Sequence, residues 1–165
     1  MGEWKGESIQ AVTAKEIAQL QTDNVKSDLE IEPATYYTVN RVIREYRGGF
    51  RGIGGLIKNT YRFFKDEALK DQMNSNSFVG GIDGWSFLDG NRVYVVSGWA
   101  GVSQVTGNEA RLLSLQKSST HYFQRPDASQ VELDSNATSL TGYAGRLVLN
   151  KEQGNWILHY TVGAA

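Results

Sequence analysis

With 165 residues, 40% of them hydrophobic and 11% aromatic, the chain has the size of one domain and enough apolar material for a single core. It has no cysteine, which excludes a disulfide framework, a Cys-ligated metal and a thiol nucleophile. A net charge of -1 argues against a general nucleic-acid binder, and no apolar run approaches the roughly 18 to 20 residues of a membrane-spanning helix, so the chain is expected to be soluble as given.

Residues 1–12 are expected to form an N-terminal arm. Thr13-Ala14-Lys15-Glu16 matches a capping box, with Val12 and Ile17 at the positions of a hydrophobic staple, which predicts a first helix over about 14–24. An acidic linker, Asp28 to Glu32, leads to Pro33, whose fixed φ suits a first helical turn. From there Tyr36, Val39, Ile43, Tyr46, Phe50, Ile53, Ile57, Thr60 and Phe64 recur at steps of three and four, the spacing of one helical stripe. Five glycines interrupt it: Gly48, Gly49, Gly52, Gly54 and Gly55. Each costs about 1 kcal/mol inside a helix relative to Ala. One uninterrupted helix here would also be roughly 60 Å long. The stretch is therefore expected to be two helices, about 33–47 and 55–72, joined by a glycine elbow.

After Ser77 the period changes to two. A hairpin is predicted from Trp85 to Val102 around Asp89-Gly90-Asn91, a long strand from Glu109 to Gln124, a short one from Gln130 to Leu133, and a last hairpin pairing Gly142–Leu149 with Trp156–Val162. Helices followed by a strand meander predict an α+β domain spanning 13–165. In it, the N-terminal helices would pack inside a curved antiparallel sheet of about 77–163.

Charge is unevenly distributed. Residues 1–32 carry net -4 and residues 66–165 net -3, while residues 33–65 carry +6. Arg44, Arg51, Lys58 and Lys65 stand seven apart, and Arg62 falls in the same helical sector, so they form a candidate basic ridge for a protein partner or an anionic membrane surface. The acidic flanks argue against nucleic acid. The glycine-rich stretch follows a predicted helix instead of a strand, and no G-x-x-x-x-G-K-[ST] occurs, so a phosphate-binding loop is not indicated.

The only histidines, His121 and His159, are candidates for an acid/base pair if the sheet brings them together, with Asp83, Asp89 or Glu132 as acidic partners. Their spacing does not suit a helical metal site, and no cofactor motif is present. Tyr46, Tyr61, Trp99 and Tyr143 are among the aromatics that could line a pocket between helices and sheet; they are equally what a core requires.

The order of elements, with Tyr37, Val42, Arg44, Glu45 and Tyr46 on an amphipathic helix leading into a curved sheet, resembles the cone-shaped nuclear transport factor two-like superfamily. Those five residues also resemble the tyrosine and Arg-Glu pattern of the periplasmic assembly factors of type IV secretion in that superfamily. The absence of a catalytic constellation and the basic ridge point to a non-enzymatic interaction or assembly domain, binding a protein partner, its own copies or a membrane surface. The resemblance to the secretion factors makes the chain a candidate extracytoplasmic domain of a membrane-anchored parent. The same fold also hosts isomerases and dehydratases, so an enzyme or small-molecule binder using His121 and His159 is the alternative.

Overall fold

A computed structural model describes residues 2–23, 25–119, 123 and 132–165. Nine strands are present among the described residues: β1 (Glu3–Thr13), β2 (Glu16–Thr22), β3 (Val25–Glu32), β4 (Ala34–Tyr46), β5 (Arg51–Phe63), β6 (Asn76–Phe87), β7 (Tyr94–Thr106), β8 (Ser139–Lys151) and β9 (Leu158–Ala164). Two short helices, α1 (Glu67–Lys70) and α2 (Glu109–Lys117), sit in connections. Seven strands form one antiparallel sheet in the order β1-β4-β5-β6-β7-β8-β9, and β2-β3 form a separate hairpin between β1 and β4.

This overturns the expected α+β class. The predicted helices at 14–24 and 33–47 are β2 and β4 with their flanks, the one at 55–72 is the second half of β5 and is helical only at α1, and the expected N-terminal arm is the edge strand β1, paired with β4 along its length from Glu3↔Glu45 to Thr13↔Thr35. The five residues carrying the family resemblance lie on β4. The predicted strand at 109–124 begins as α2; Asn108 caps it, its side chain accepting from the Arg111 N–H at 2.9 Å. Gln130 and Val131 of the predicted strand Gln130–Leu133 lie outside the described residues, while Glu132 and Leu133 are in neither strand nor helix. The turn of the β6–β7 hairpin stands where expected, although β6 begins at Asn76, well before the expected Trp85, and the final hairpin β8–β9 agrees with expectation to within a few residues.

The glycine elbow is a hairpin turn. Arg47, Gly48 and Gly49 all have positive φ (52°, 63° and 85°), a run that glycine makes accessible and that reverses β4 into β5 over residues 47–50. At 88–93 the next turn at this end is built on Asp89, whose carboxylate accepts from the N–H groups of Asn91, Val93 and Tyr94 at 2.9, 3.1 and 2.7 Å. The third, 152–157, is held by Lys151, whose Nζ donates to the carbonyls of Gln153 and Trp156 at 2.8 and 2.9 Å. All three connections at this end are short. Those at the opposite end are long: 14–33 with β2-β3, 64–75 with α1, and 107–138 with α2.

The hydrophobic core is small. Among the described residues only Leu69, Val95 and Leu112 are buried hydrophobics. Leu112 and Gln116 of α2 are fully enclosed at the long-connection end, where Gln116 donates to the Asp134 carbonyl and accepts from the Asp134 N–H, both at 2.9 Å. Among the described residues, the main element contacts of the sheet run along its own neighbouring strands. The accessible surface is 11515 Å². A folded soluble monomer of this mass exposes only about 8,100 Å² by the usual scaling.

Candidate functional site

Because residues alternate sides along a strand and register partners share a side, the pairing divides the sheet into two faces. One is mixed in character. It carries Lys5 and Glu7 of β1, Arg41 and Glu45 of β4, Lys58 and Arg62 of β5, Asp83 of β6 and Arg146 of β8, interspersed with apolar side chains.

On this mixed face the side chains lie across glycines. Arg41 reaches over β5 to form a two-pronged pair with Asp83 on β6, one limb being Nη2 to Oδ2 at 2.7 Å. The pair passes above Gly54, where a Cβ would sit 2.8 Å from Arg41 Nη2 and 3.1 Å from Asp83 Oδ1. One step along β5, the Trp85 ring covers Gly52, where a Cβ would meet ring carbons at 2.2 Å, and Trp85 Nε1 donates to the Gly49 carbonyl at 3.0 Å. Lys5 pairs with Glu45 at 3.1 Å. His159 completes this face near the short-turn end, its Nδ1 against Asn150 Oδ1 at 2.6 Å and its Nε2 against the Thr161 hydroxyl at 2.9 Å.

The opposite face is apolar in its middle. Val42 stands beside Gly55, Ile82, Ala100 and Gly145 across successive strands, followed one step along by Ile53, Gly84, Gly98, Leu147 and Val162. These side chains are open to the surroundings: Ile82 is 63% exposed and Tyr143 80%. Only three charged residues occur on this face in the seven strands, Arg44, Arg51 and Lys151, and all three are basic and stand at the short-turn end. Aromatics accompany them. Arg44 lies between the rings of Trp4 and Tyr46, 5.0 and 4.9 Å from their centroids, and Lys151 Nζ lies 3.9 Å from the Trp156 ring. Toward the long-connection end the face carries Tyr36, Tyr61 and Phe63 among uncharged polar residues such as Asn40, Asn59 and Gln104.

The sequence-predicted ridge is divided by this geometry. Arg44 and Arg51 share the apolar face at one end, Lys58 and Arg62 lie on the mixed face toward the other, and Lys65 follows β5, its N–H donating to the Glu30 carboxylate at 2.8 Å. Nor do the predicted pocket aromatics converge, since Tyr46, Tyr61 and Tyr143 are on the apolar face and Trp99 is on the mixed one. His121 lies outside the described residues, and His159 is held by Asn150 and Thr161 instead of an acid. Asp83 is committed to Arg41 and Asp89 to its turn. Among the described residues no group of three or more His, Asp or Glu comes close enough to hold a metal ion.

Sequence reasoning missed the two-faced character of β4 and β5, and with it the Arg41–Asp83 pair. A signal was present: with period two imposed, Val42, Ile53, Ile57 and Ile82 separate from Arg41, Lys58 and Asp83. No protein-family model, curated protein or solved structure matches this chain.

Proposed function

We propose that this chain is a non-enzymatic wall element of a membrane-embedded antiparallel β-barrel, its apolar face against acyl chains and its mixed face lining the interior. The observation that carries this reading is the partition of charge. Across seven strands, the apolar face holds no charged residue except three cations confined to one end, while acids and bases alike lie on the other face.

Strand length supports it. Most strands of the sheet have 11 to 13 residues. At about 3.3 Å per residue and a tilt of about 45° they traverse roughly 26 to 30 Å, close to the thickness of a hydrocarbon core. Short turns at one end and long connections at the other, with aromatic residues toward both borders of the apolar band, are the pattern of outer-membrane barrels. The small core has the same explanation, since an apolar sheet face without a second protein layer is stable where lipid supplies that layer. No helix among the described residues is long and apolar enough to cross a membrane, which says nothing about strands.

The two edges complete the reading. β1 and β9 run in the same direction at opposite ends of an alternating order, so a closed, all-antiparallel wall takes an odd number of further strands between them. Membrane flotation after a urea wash tests the proposal: the chain is expected to stay with the lipid fraction. Its recovery as a monodisperse protein in detergent-free buffer, folded and lipid-free, would overturn the reading.

A further inference from the structure

We infer that the apolar face holds a specific anionic phospholipid, its phosphate between Arg44 and Arg51 and one acyl chain in the trough that begins at Val42 and Gly55, one same-side step from Arg44. This rests on the membrane reading above and adds an occupant to one place on that face.

The trough has a volume of about 890 Å³ and runs across β1, β4, β5, β6 and β7. Its floor includes Gly6 and Gly55, and its walls are Val42, Ile57, Ile82 and Val102. These floor glycines differ from those of the mixed face. A Cβ on Gly6 or Gly55 would find no atom nearer than 3.9 or 3.8 Å, whereas Gly52 and Gly54 have ring and guanidinium atoms within 3 Å. Packing within the chain therefore does not require glycine at residues 6 and 55, and glycine weakens a strand. What their bareness creates is a depression wide enough for a hydrocarbon chain.

Two cations stand beyond the Val42 and Gly55 end of the trough, outside its lining. Arg44 stands two residues beyond Val42 on the same side of β4, and Arg51 lies diagonally across from it on β5, since Arg44 pairs with Ile53 and Tyr46 with Arg51. Arg44 Nε is buried and has no hydrogen-bond partner, an orphaned donor on the residue one same-side step beyond Val42. Lys151, by contrast, spends its Nζ on two carbonyls. No carboxylate occurs on this face in any of the seven strands, so the charge to be neutralised must come from outside the sheet. A phosphate bearing an acyl chain satisfies both halves of the site, as a free phosphate would not.

The test is lipid retention by the chain in neutral detergent, measured by native mass spectrometry with phosphatidylglycerol against phosphatidylcholine. Wild type is expected to retain one phosphatidylglycerol preferentially. The double variant Arg44→Gln/Arg51→Gln is expected to lose that preference by about tenfold or more, as the loss of charge-assisted hydrogen bonds implies. Gly55→Leu, which fills the trough at its Val42 end, should expel the acyl chain with Arg44 and Arg51 intact. A far-UV spectrum matching wild type confirms that each variant is folded; should the double variant not fold, Gly55→Leu decides alone. Retention unchanged in the folded variants would overturn the site, as would displacement of the lipid by millimolar inorganic phosphate. Failure of the site with the chain still floating with membranes leaves the barrel reading standing; failure to take up either lipid and to float removes both.

Discussion

Replacing Ile82 by Arg separates a lipid-facing from a water-facing sheet. Ile82 is 63% exposed, in the middle of β6, flanked by Gly55 and Ala100 on the neighbouring strands, so an arginine meets no steric obstacle there. In water such a surface change is worth within about 0.5 kcal/mol either way. In a bilayer, a guanidinium at mid-depth on a barrel's outer face costs about 2–4 kcal/mol. That corresponds to a drop of about 30-fold to 900-fold in the folded-to-unfolded ratio. Ser103→Arg is the control, because Ser103 is exposed on β7 but faces the mixed side. Urea titration in phospholipid vesicles, followed by tryptophan fluorescence, is expected to show a large fall in midpoint for Ile82→Arg and little change for Ser103→Arg. Equal, small effects for both would refute the assignment of faces.

Two further expectations concern the mixed face and the turns. Gly54→Val should cost about 1–3 kcal/mol, the range of overpacking, because its Cβ would stand within 2.8 Å of Arg41 in the Arg41–Asp83 pair; Gly55→Val, one residue on and facing the other way, should be tolerated. Chemical denaturation of both variants checks this, and equal losses would count against the packing described. Asp89 gives a pH dependence. Its carboxyl is held below the usual carboxylate range by backbone N–H donors, chiefly that of Tyr94, so its contribution to stability is present in full above the unfolded value of about 3.9 and is lost as pH falls through the lower folded value. The difference in urea midpoint between wild type and Asp89→Asn should thus be constant near neutrality and shrink below about pH 4; a difference that grows on acidification would contradict the turn assignment.

How much of this was legible in the sequence depended on which side of the sheet announced itself. The β6–β7 hairpin was readable because Asp89-Gly90 marks its turn, and the β8–β9 hairpin because Trp156, Leu158, Tyr160 and Val162 alternate cleanly with polar neighbours. In β4 and β5 the mixed face also carries Tyr37, Val39, Ile43 and Leu56, so apolar residues fall on both sides of the strands. Summed over the two faces they imitate the three-and-four step of a helix. The five glycines pointed in the right direction, yet a helical elbow was only one way to use them. Gly48 and Gly49 make a hairpin turn, while Gly52 makes room for Trp85 on the adjacent strand and Gly54 for the Arg41–Asp83 pair, which joins strands two apart; neither contact leaves a local trace in sequence. The match at Thr13–Glu16 to a capping box failed because β2 pairs with β3 through Leu20↔Ser27 and its neighbours, a tertiary choice that overrides a weak local preference. Of the basic ridge, Arg44 and Arg51 share the apolar face, while Lys58 and Arg62 lie on the mixed one.

The central claim is that one side of this sheet touches lipid. A nitroxide scan of β7, one label at a time from residue 95 to residue 105 in membranes containing the intact chain, tests it most directly by comparing collision with molecular oxygen, which concentrates in the bilayer, against a water-soluble nickel chelate. Period-two alternation is expected, with oxygen favoured at Val96, Gly98, Ala100, Val102 and Gln104 and the chelate relatively favoured at the residues between them. Equal access of the chelate to both sets would contradict it.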